Sequence, residues 1–255
     1  MSLGQHLVEL RKRLTRGAIA IVAGTVGGWF LYELIWPLIT EPITRIAAAQ
    51  GADEDQLAKV ALNYTGITGA FDVRIQIALA VGIVISSPIW LYQIFAFLVP
   101  GLTKREKRYT FGFFFSAIPL FLGGCAAGWF VLPHIVEIMY SFVPDGATTF
   151  YETKMYLDFV LKLVLATGIA FVLPVFLVLL NFVGVLQART ILKGWRWAIL
   201  AITIFTAIAT PAADVISMIL LAIPMIVLYF GAVGIALLHD RGVEKRAQAL
   251  EAELA

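Results

Sequence analysis

The sequence predicts an all-α integral membrane protein with six transmembrane helices, an N-terminal amphipathic helix and both termini in the cytoplasm. Apolar residues make up 60% of the chain and charged residues only 14%, with a mean hydropathy of +0.89, far above that of a soluble domain. The apolar residues are gathered in runs of about 20, the length that crosses a bilayer as a helix. These runs are too long and too uniformly apolar to be barrel strands.

The segment before the first run is predicted to be an amphipathic helix at the membrane interface. Its leucines recur at helical spacing, at Leu3, Leu7, Leu10 and Leu14. Glu9 lies on the polar side of this helix, with Arg13 one turn later. Two interpretations stay open: an i,i+4 ion pair worth a few tenths of a kcal/mol, or a carboxylate that accepts an incoming cation.

We place the spans within one polytopic membrane domain over residues 1–255, which ends in a cytoplasmic tail over 239–255. The spans cover about 17–39, 70–99, 109–132, 155–182, 195–209 and 215–238. The fifth span, at about 15 residues and about 22 Å, is shorter than the roughly 30 Å hydrocarbon core. Either it thins the bilayer, or the flanking Gly194 and Thr210 also lie in the span. Four spans contain a proline that favours a kink, at Pro88, Pro119, Pro174 and Pro224.

The distribution of Lys and Arg between the connecting segments predicts the orientation. Fourteen of the 19 basic residues fall in the N-terminal segment, the second-to-third connection, the fourth-to-fifth connection and the tail. They are Arg11, Lys12, Arg13, Arg16, Lys104, Arg105, Lys107, Arg108, Arg189, Lys193, Arg196, Arg241, Lys245 and Arg246. The opposite connections hold only Arg45, Lys59 and Lys154. Six spans with both termini on the basic, cytoplasmic side account for this asymmetry.

Ionisable residues inside the spans are candidates for function, because such groups usually face the bundle interior. Asp158 and Lys162 stand four residues apart, and we favour a mutual pair over a proton relay. Asp72 and Arg74 lie near the external end of the second span, where snorkelling lowers their cost. Either set can shape a water-filled cavity. Nearby aromatic residues read as an interfacial belt rather than a ligand cage, at Trp29, Tyr32 and Trp36.

The second basic segment contains a single acid, Glu106, among four cations after a Pro100-Gly101 turn. Glu106 either neutralises its neighbours on a solvated face or acts together with Glu9 on the same side of the membrane. Two carboxylates there would suit a ligand with two guanidinium groups, since arginine matches a carboxylate bidentately and lysine does not.

Composition argues against several other classes of protein. The only cysteine, Cys125, excludes an intrachain disulfide, and three histidines argue against a histidine-built metal centre. We expect no cofactor, no metal and no cleavable signal peptide, and a net charge of +2 argues against nucleic acid binding. A secondary transporter fits kinked helices and intramembrane charges, but no inverted repeat is apparent. An intramembrane enzyme is a further rival, although no histidine lies mid-span and no metal-protease or phosphate-loop motif occurs.

Three runs together resemble the TatC family, the receptor subunit of the twin-arginine protein translocase. They read HLVELRKR over residues 6–13, SPIWLYQIFAF over 87–97 and PGLTKREKR over 100–108. The resemblance also covers the six spans, the cytoplasmic termini, the short fifth span, and Thr210-Pro211 before Asp214.

The resemblance implies a receptor for the twin-arginine signal peptides of folded precursor proteins. Glu9 and Glu106 stand at the positions that the family uses to contact the paired arginines, and Arg11, Arg13 and Phe97 match other positions linked to recognition. It further implies single-span TatA/TatB-type partner subunits, membrane lipid around an oligomeric translocase, and a bacterial or archaeal cytoplasmic membrane. The proton-motive force would drive export.

The chain departs from a common family pattern at two places. Many members carry a glutamate in the fourth span just before Val/Leu-Pro, whereas this chain has Val172 before Leu173-Pro174. Some members have a glutamine soon after the Asp214 position, where this chain offers Ser217 and Met218. We therefore expect partner docking to depend more on packing than on those polar side chains.

Overall fold

A computed structural model describes residues 3–49, 68–98, 104–142, 152–210 and 215–254, and these ranges are helical along almost their whole length. The helices are α1 (Leu3–Ala49), α2 (Gly69–Ile85), α3 (Ser87–Leu98), α4 (Lys104–Ser141), α5 (Thr153–Phe182), α6 (Ala188–Lys193), α7 (Trp195–Ala209) and α8 (Val215–Leu254). The described residues form no strand ladder, so the all-α prediction is confirmed.

The helix α1 is one uninterrupted element of 47 residues. This corrects the prediction of a separate interfacial helix before the first span. Nothing between Arg16 and Gly17 breaks the helix, and Pro37 and Pro42 lie inside it near its far end. The leucine stripe of the first turns is nonetheless turned outward, because Leu7, Leu10 and Leu14 are exposed.

The predicted second span is broken into α2 and α3, which meet at an angle of 57° around Ser86. Proline at position 88 has no backbone N–H and cannot continue the hydrogen-bond ladder of α2, which explains the break. The amide N–H of Trp90 bonds the carbonyl of Ser86, and the Trp90 indole Nε1–H donates to Ile83 O across the break at 2.9 Å. The kink expected at Pro88 is therefore confirmed.

Close helix crossings depend on glycine. A Cβ at Gly24 of α1 would lie 2.5 Å from the carbonyl oxygen of Gly82 in α2, and one at Gly28 would meet the backbone of Ala78. The helices α4 and α5 cross in the same way, since a Cβ at Gly124 would lie 2.7 Å from Thr167 O. Small residues let membrane helices approach closely where no hydrophobic effect draws them together.

The buried side chains form two main clusters. The first joins α1, α2, α4, α5 and α8 and is centred on Ile77, Leu132, Ile135 and Leu157. The second joins α3, α4 and α5 and contains Leu91, Phe95, Phe121 and Val172. Tyr156 also ties α5 to α1, because its hydroxyl donates to Ile39 O at 2.8 Å.

Among the described residues, four helices are long and apolar enough to cross a membrane, or five if α2 and α3 count as one bent span. The remaining apolar helix, α7, has the bounds and the 15 residues predicted for the short fifth span. The helix α8 starts where the sixth span was predicted to start but continues to Leu254. The predicted tail over 239–255 is therefore a helical extension of the last span as far as the structure describes it.

Candidate functional site

The first candidate site lies at the start of α1, where Glu9 and Arg13 form a salt bridge. The distance from Arg13 Nη2 to Glu9 Oε1 is 2.6 Å, and the two side chains are 17% and 27% exposed for Arg13 and Glu9 respectively. The structure thus forms the i,i+4 pair that was one of the two interpretations of Glu9. Arg11 is exposed beside it.

An equivalent pair lies at the other end of the same helix. Arg45 Nη2 is 2.6 Å from Glu41 Oε1, with the same i,i+4 spacing. Glu9 and Glu41 are separated by 32 residues, or about 48 Å along a helix, which exceeds the roughly 30 Å hydrocarbon core. The two pairs therefore lie at opposite ends of the first span. The Glu41–Arg45 pair can serve as a control in experiments that substitute Glu9.

The other two candidate positions lie where α3 ends and α4 begins. Phe97 is half-buried in the last turn of α3. Glu106 falls in the first turn of α4, but its side chain lies outside the described residues. The connection between α3 and α4, residues 99–103, is five residues long and also lies outside the described part, so the end of α3 and the start of α4 belong to one corner of the molecule.

The α1–α2 and α1–α3 contacts share one antiparallel register. Gly24 faces Gly82, Gly28 faces Ala78, and further toward the start of α1 a Cβ at Gly17 would lie 3.6 Å from the Cβ of Trp90. The start of α1 therefore packs on α3, which follows the 57° break. This is the half of α1 that the sequence places nearer the cytoplasm.

A second candidate site is a groove of about 760 Å³ between the end of α4, the start of α5 and the end of α7. Asp158 and Lys162 both line it. Contrary to the mutual pair expected from their spacing, no salt bridge within 4.0 Å joins them in the part of the chain that the structure describes. The i,i+4 spacing permits a contact but does not enforce one, and here both residues line the groove without forming an ion pair.

Asp72 and Arg74 are both engaged with partners from other helices. Arg74 Nη2 lies 3.7 Å from Glu33 Oε1, and its guanidinium lies over the rings of Trp29 and Tyr32, at 4.6 and 4.8 Å from their centroids. Two of the aromatic residues expected to form only an interfacial belt thus hold a cation of the chain itself. Such contacts are worth about 0.5–2 kcal/mol.

Asp72 bridges in the other direction, toward α5. Lys154 Nζ lies 4.0 Å from Asp72 Oδ2. Together with the Arg74 contacts, this pair links α1, α2 and α5 at the end of the bundle that carries few basic residues.

The first of the two departures from the family pattern, Val172, occupies an apolar position in the structure. Val172 is only 4% exposed and lies in the cluster with Leu91, Phe95 and Phe114. Ser217, at the second departure, is buried at the start of α8.

The sequence did not predict a polar cluster centred on Asp240, which lies at the end of the bundle that carries most of the basic residues. Its Oδ1 accepts from Asn181 Nδ2 at 2.9 Å, and its Oδ2 accepts from the backbone N–H of Ala188 at 2.8 Å. The neighbouring His239 stacks on Phe182 with 3.9 Å between ring centroids. The only signal was an acid placed directly after an apolar run, since the partners lie more than 50 positions away in the chain.

No group of three or more His, Cys, Asp or Glu side chains that could hold a metal ion occurs in the described ranges. The arrangement instead offers charged side chains at the two ends of a helical bundle and along one groove. The helices define a multi-pass α-helical membrane protein.

Comparisons with known proteins identify the class further. The family model of the Sec-independent protein translocase protein (TatC) matches residues 5–224. A TatC named as a Sec-independent protein translocase protein from Xylanimonas cellulosilytica is 46% identical over 246 residues, covering 96% of this chain and 87% of that protein. The TatC of Rothia mucilaginosa is 35% identical over 247 residues, covering 96% and 82%.

A solved structure agrees with these relatives. The crystal structure of the twin-arginine translocase receptor TatC in DDM superposes with a TM-score of 0.76 at 32% sequence identity, covering 91% of this chain and 99% of that one. The chain belongs to the TatC family of protein translocase proteins. The resemblance carried by the three runs is confirmed.

Proposed function

We propose that this chain is the core receptor subunit of a twin-arginine translocase. It binds twin-arginine signal peptides of folded precursor proteins at the cytoplasmic face and nucleates a proton-motive-force-driven export complex with single-span TatA/TatB-type subunits. The support is family membership together with a solved relative described as the twin-arginine translocase receptor. The same match favours protein transport over the rival of a small-molecule secondary transporter.

The observation that carries the proposal is the salt bridge at Glu9. A carboxylate that holds the guanidinium of Arg13 at 2.6 Å occupies a position where an arginine of the signal can be accepted in the same manner. The incoming guanidinium either replaces Arg13 or shares the carboxylate with it. Glu9 remains partly exposed, so the peptide reaches it without unfolding α1.

The packing register of α1 supports a common site for Glu9, Phe97 and Glu106. The register that pairs Gly24 with Gly82 and brings Gly17 onto Trp90, continued for two further turns of each helix, brings Glu9 level with Phe97. Glu106 starts the next helix after a short connection. We infer that the two acids and Phe97 line one cytoplasmic recognition surface, with Arg11 and Arg13 at its edge.

Physical chemistry accounts for the preference for arginine. At an effective dielectric near 20, a carboxylate and a guanidinium 4 Å apart attract by about 4 kcal/mol before desolvation. A planar guanidinium can also engage a carboxylate through two parallel hydrogen bonds, which a lysine ammonium cannot match. Two such acids therefore distinguish a pair of arginines from a pair of lysines.

We further propose that all six apolar segments span the membrane, with both termini in the cytoplasm. The support is the concentration of basic residues in four of the connecting or terminal segments. With α7 included as a span, every basic segment falls on one side. The 15 residues of α7 give about 22 Å, so the bilayer is thinned beside it.

Single-span partner subunits dock on this chain chiefly by apolar packing. The support is that Val172 is buried among Leu91, Phe95 and Phe114, where many relatives have an acid. Exposed apolar side chains of α8, such as Ile219, Ile223 and Val227, offer a surface of the required character within the membrane.

Export of a folded reporter tests the proposal. The chain is expressed in a bacterial host that lacks its own TatC, with its cognate single-span subunits and a reporter carrying a twin-arginine signal. We expect Glu9→Gln and Glu106→Gln each to lower export by about tenfold, the equivalent of about 1.4 kcal/mol of lost binding. Glu41→Gln, which breaks the matched pair at the far end of α1, should export like the unaltered chain. Equal export by all three variants would contradict the proposed site.

A further inference from the structure

The groove between α4, α5 and α7 holds charges that the proposed receptor function does not use. Four ionisable side chains line it: Glu152, Lys154, Asp158 and Lys162. Lys154 is directed toward Asp72, 4.0 Å away. Glu152 also has a partner in the described structure. Asp158 and Lys162 take part in no salt bridge within the described ranges, so one cation and one anion of the four lack an ion-pair partner at the cavity.

Most of the other lining residues are apolar, and the groove opens to the side of the bundle. Its walls include Ile135, Met139 and Phe159. At its edges, Met155 and Ile208 are 71% and 80% exposed, so the cavity is continuous with the surface that lipid would cover. An ion placed in such an environment is costly unless a complementary group satisfies it.

The helix α7 brings the polar boundary of the membrane toward the groove. It ends at Ala209, which together with Thr210 lines the cavity. Its length of about 22 Å is about 8 Å less than the hydrocarbon core. A bilayer thinned at this side places lipid headgroups deeper than usual, near the depth at which Asp158 and Lys162 occur along α5.

We propose that this groove binds the headgroup of phosphatidylethanolamine, with the phosphate at Lys162 and the ammonium at Asp158. One free cation and one free anion match the two charges of a zwitterionic headgroup. The apolar walls accept the upper parts of the acyl chains.

The order of the two charges along α5 agrees with the order of groups in such a lipid. Asp158 lies about 7.5 Å and Lys162 about 13.5 Å from the start of the helix at Thr153. In the leaflet at this end of α5, the amine of the lipid is outermost, the phosphate lies beneath it, and the acyl chains point toward the membrane centre. The acid therefore meets the amine and the base meets the phosphate without inverting the lipid.

Other occupants satisfy the groove less completely. The trimethylated amine of phosphatidylcholine has no N–H to donate to Asp158, and phosphatidylglycerol carries no cation for it. A single-span helix with one ionisable group would satisfy either Asp158 or Lys162 and leave the other buried against apolar surface.

Native mass spectrometry of the purified full chain tests the proposal. Delipidated protein in detergent is offered equimolar phosphatidylethanolamine, phosphatidylcholine and phosphatidylglycerol, and the retained lipid is measured. We expect about tenfold more phosphatidylethanolamine than phosphatidylcholine, as for the loss of a charge-assisted hydrogen bond. Asp158→Asn should abolish that preference, and Lys162→Gln should lower retention of every phospholipid by about tenfold. Arg45→Gln, which removes a cation from the same end of the bundle outside the groove, should retain lipid like the unaltered chain.

A second measurement needs no substitution. The unaltered chain is offered phosphatidylethanolamine with one, two or three N-methyl groups, and retention should fall most at the third methyl, where the last N–H is lost. Equal retention of all four lipids would overturn the proposal.

Two further results would also overturn it. One is that Asp158→Asn and Lys162→Gln proteins fold and retain lipid as before. The other is that a photo-cross-linker at Met155 captures a single-span subunit whichever lipid is present.

Discussion

The proposed recognition of arginine depends on Glu9. Its role follows from its position on the basic side of the molecule rather than from its contact with Arg13. Glu9–Arg13 and Glu41–Arg45 have the same spacing and the same 2.6 Å contact, yet we assign recognition only to the pair on the basic side. Local spacing predicted the Glu9–Arg13 contact. It did not predict the arrangement of Asp158 and Lys162, which form no salt bridge in the described ranges although they have the same spacing and both line the groove.

Asp240 illustrates a residue that no local pattern could identify. Both of its carboxylate oxygens accept hydrogen bonds, from the Asn181 side chain and the Ala188 amide. Asn181 Nδ2 also donates to Leu186 O at 2.9 Å. The carboxylate therefore joins the end of α5, the start of α6 and the membrane exit of α8 on the basic side.

Replacement of Asp240 by alanine should destabilise the protein. Asp240→Ala leaves the buried amide of Ala188 without its acceptor, which costs about 1–3 kcal/mol, and leaves Asn181 Nδ2 with Leu186 O as its remaining acceptor. Thermal unfolding in detergent should show a lower midpoint than for Glu244→Ala, an exposed acid one turn further along α8. Identical midpoints for the two variants would show that the cluster contributes nothing to stability.

At the scale of elements, the sequence predicted the helices well and their connections less well. The bounds of α7, the start of α8 and the break before Pro88 were predicted because a basic flank, a Thr-Pro turn and a missing amide act locally. The continuity of α1 was not predicted. Leucines at helical spacing followed by an apolar run are compatible with two helices or with one. A single glycine at the junction, Gly17, does not decide between them, because an isolated glycine is tolerated inside a helix.

The close crossing of α1 and α2 offers a test with a control in the same turn. A side chain at Gly24 would collide with the backbone of Gly82, whereas one at Gly27 meets nothing within 4 Å. Gly24→Leu should therefore separate the helices and cost about 1–3 kcal/mol, while Gly27→Leu should be tolerated. Resistance to proteolysis in detergent distinguishes them, and comparable resistance of both variants would argue against the crossing.

At the scale of the whole molecule, the composition was sufficient to predict an integral membrane protein. The three runs of residues 6–13, 87–97 and 100–108 were sufficient to predict the TatC family. The described structure adds four helices of spanning length and a bent pair, but the sidedness of the molecule depends on the bilayer. It therefore stays a prediction from the positions of the Lys and Arg residues.

Labelling of single cysteines determines that sidedness. In a background with Cys125 replaced by alanine, Arg45→Cys lies at the end of α1 with few basic neighbours and Glu244→Cys on the helical extension of α8. A membrane-impermeant maleimide should label Arg45→Cys in intact cells and Glu244→Cys only after permeabilisation. The reverse pattern would invert the topology, and labelling of both in intact cells would require an even number of spans between them, whereas the proposed topology has five.

We propose above all that Glu9 and Glu106, on the cytoplasmic face, bind the paired arginines of a signal peptide. The most direct test is the affinity of the purified protein in detergent for a labelled twin-arginine signal peptide and for the same peptide with two lysines. We predict at least about tenfold tighter binding of the arginine peptide, with the difference lost in both Glu9→Gln and Glu106→Gln and kept in Glu41→Gln. Equal affinity for the two peptides, unchanged by any of these substitutions, would contradict it.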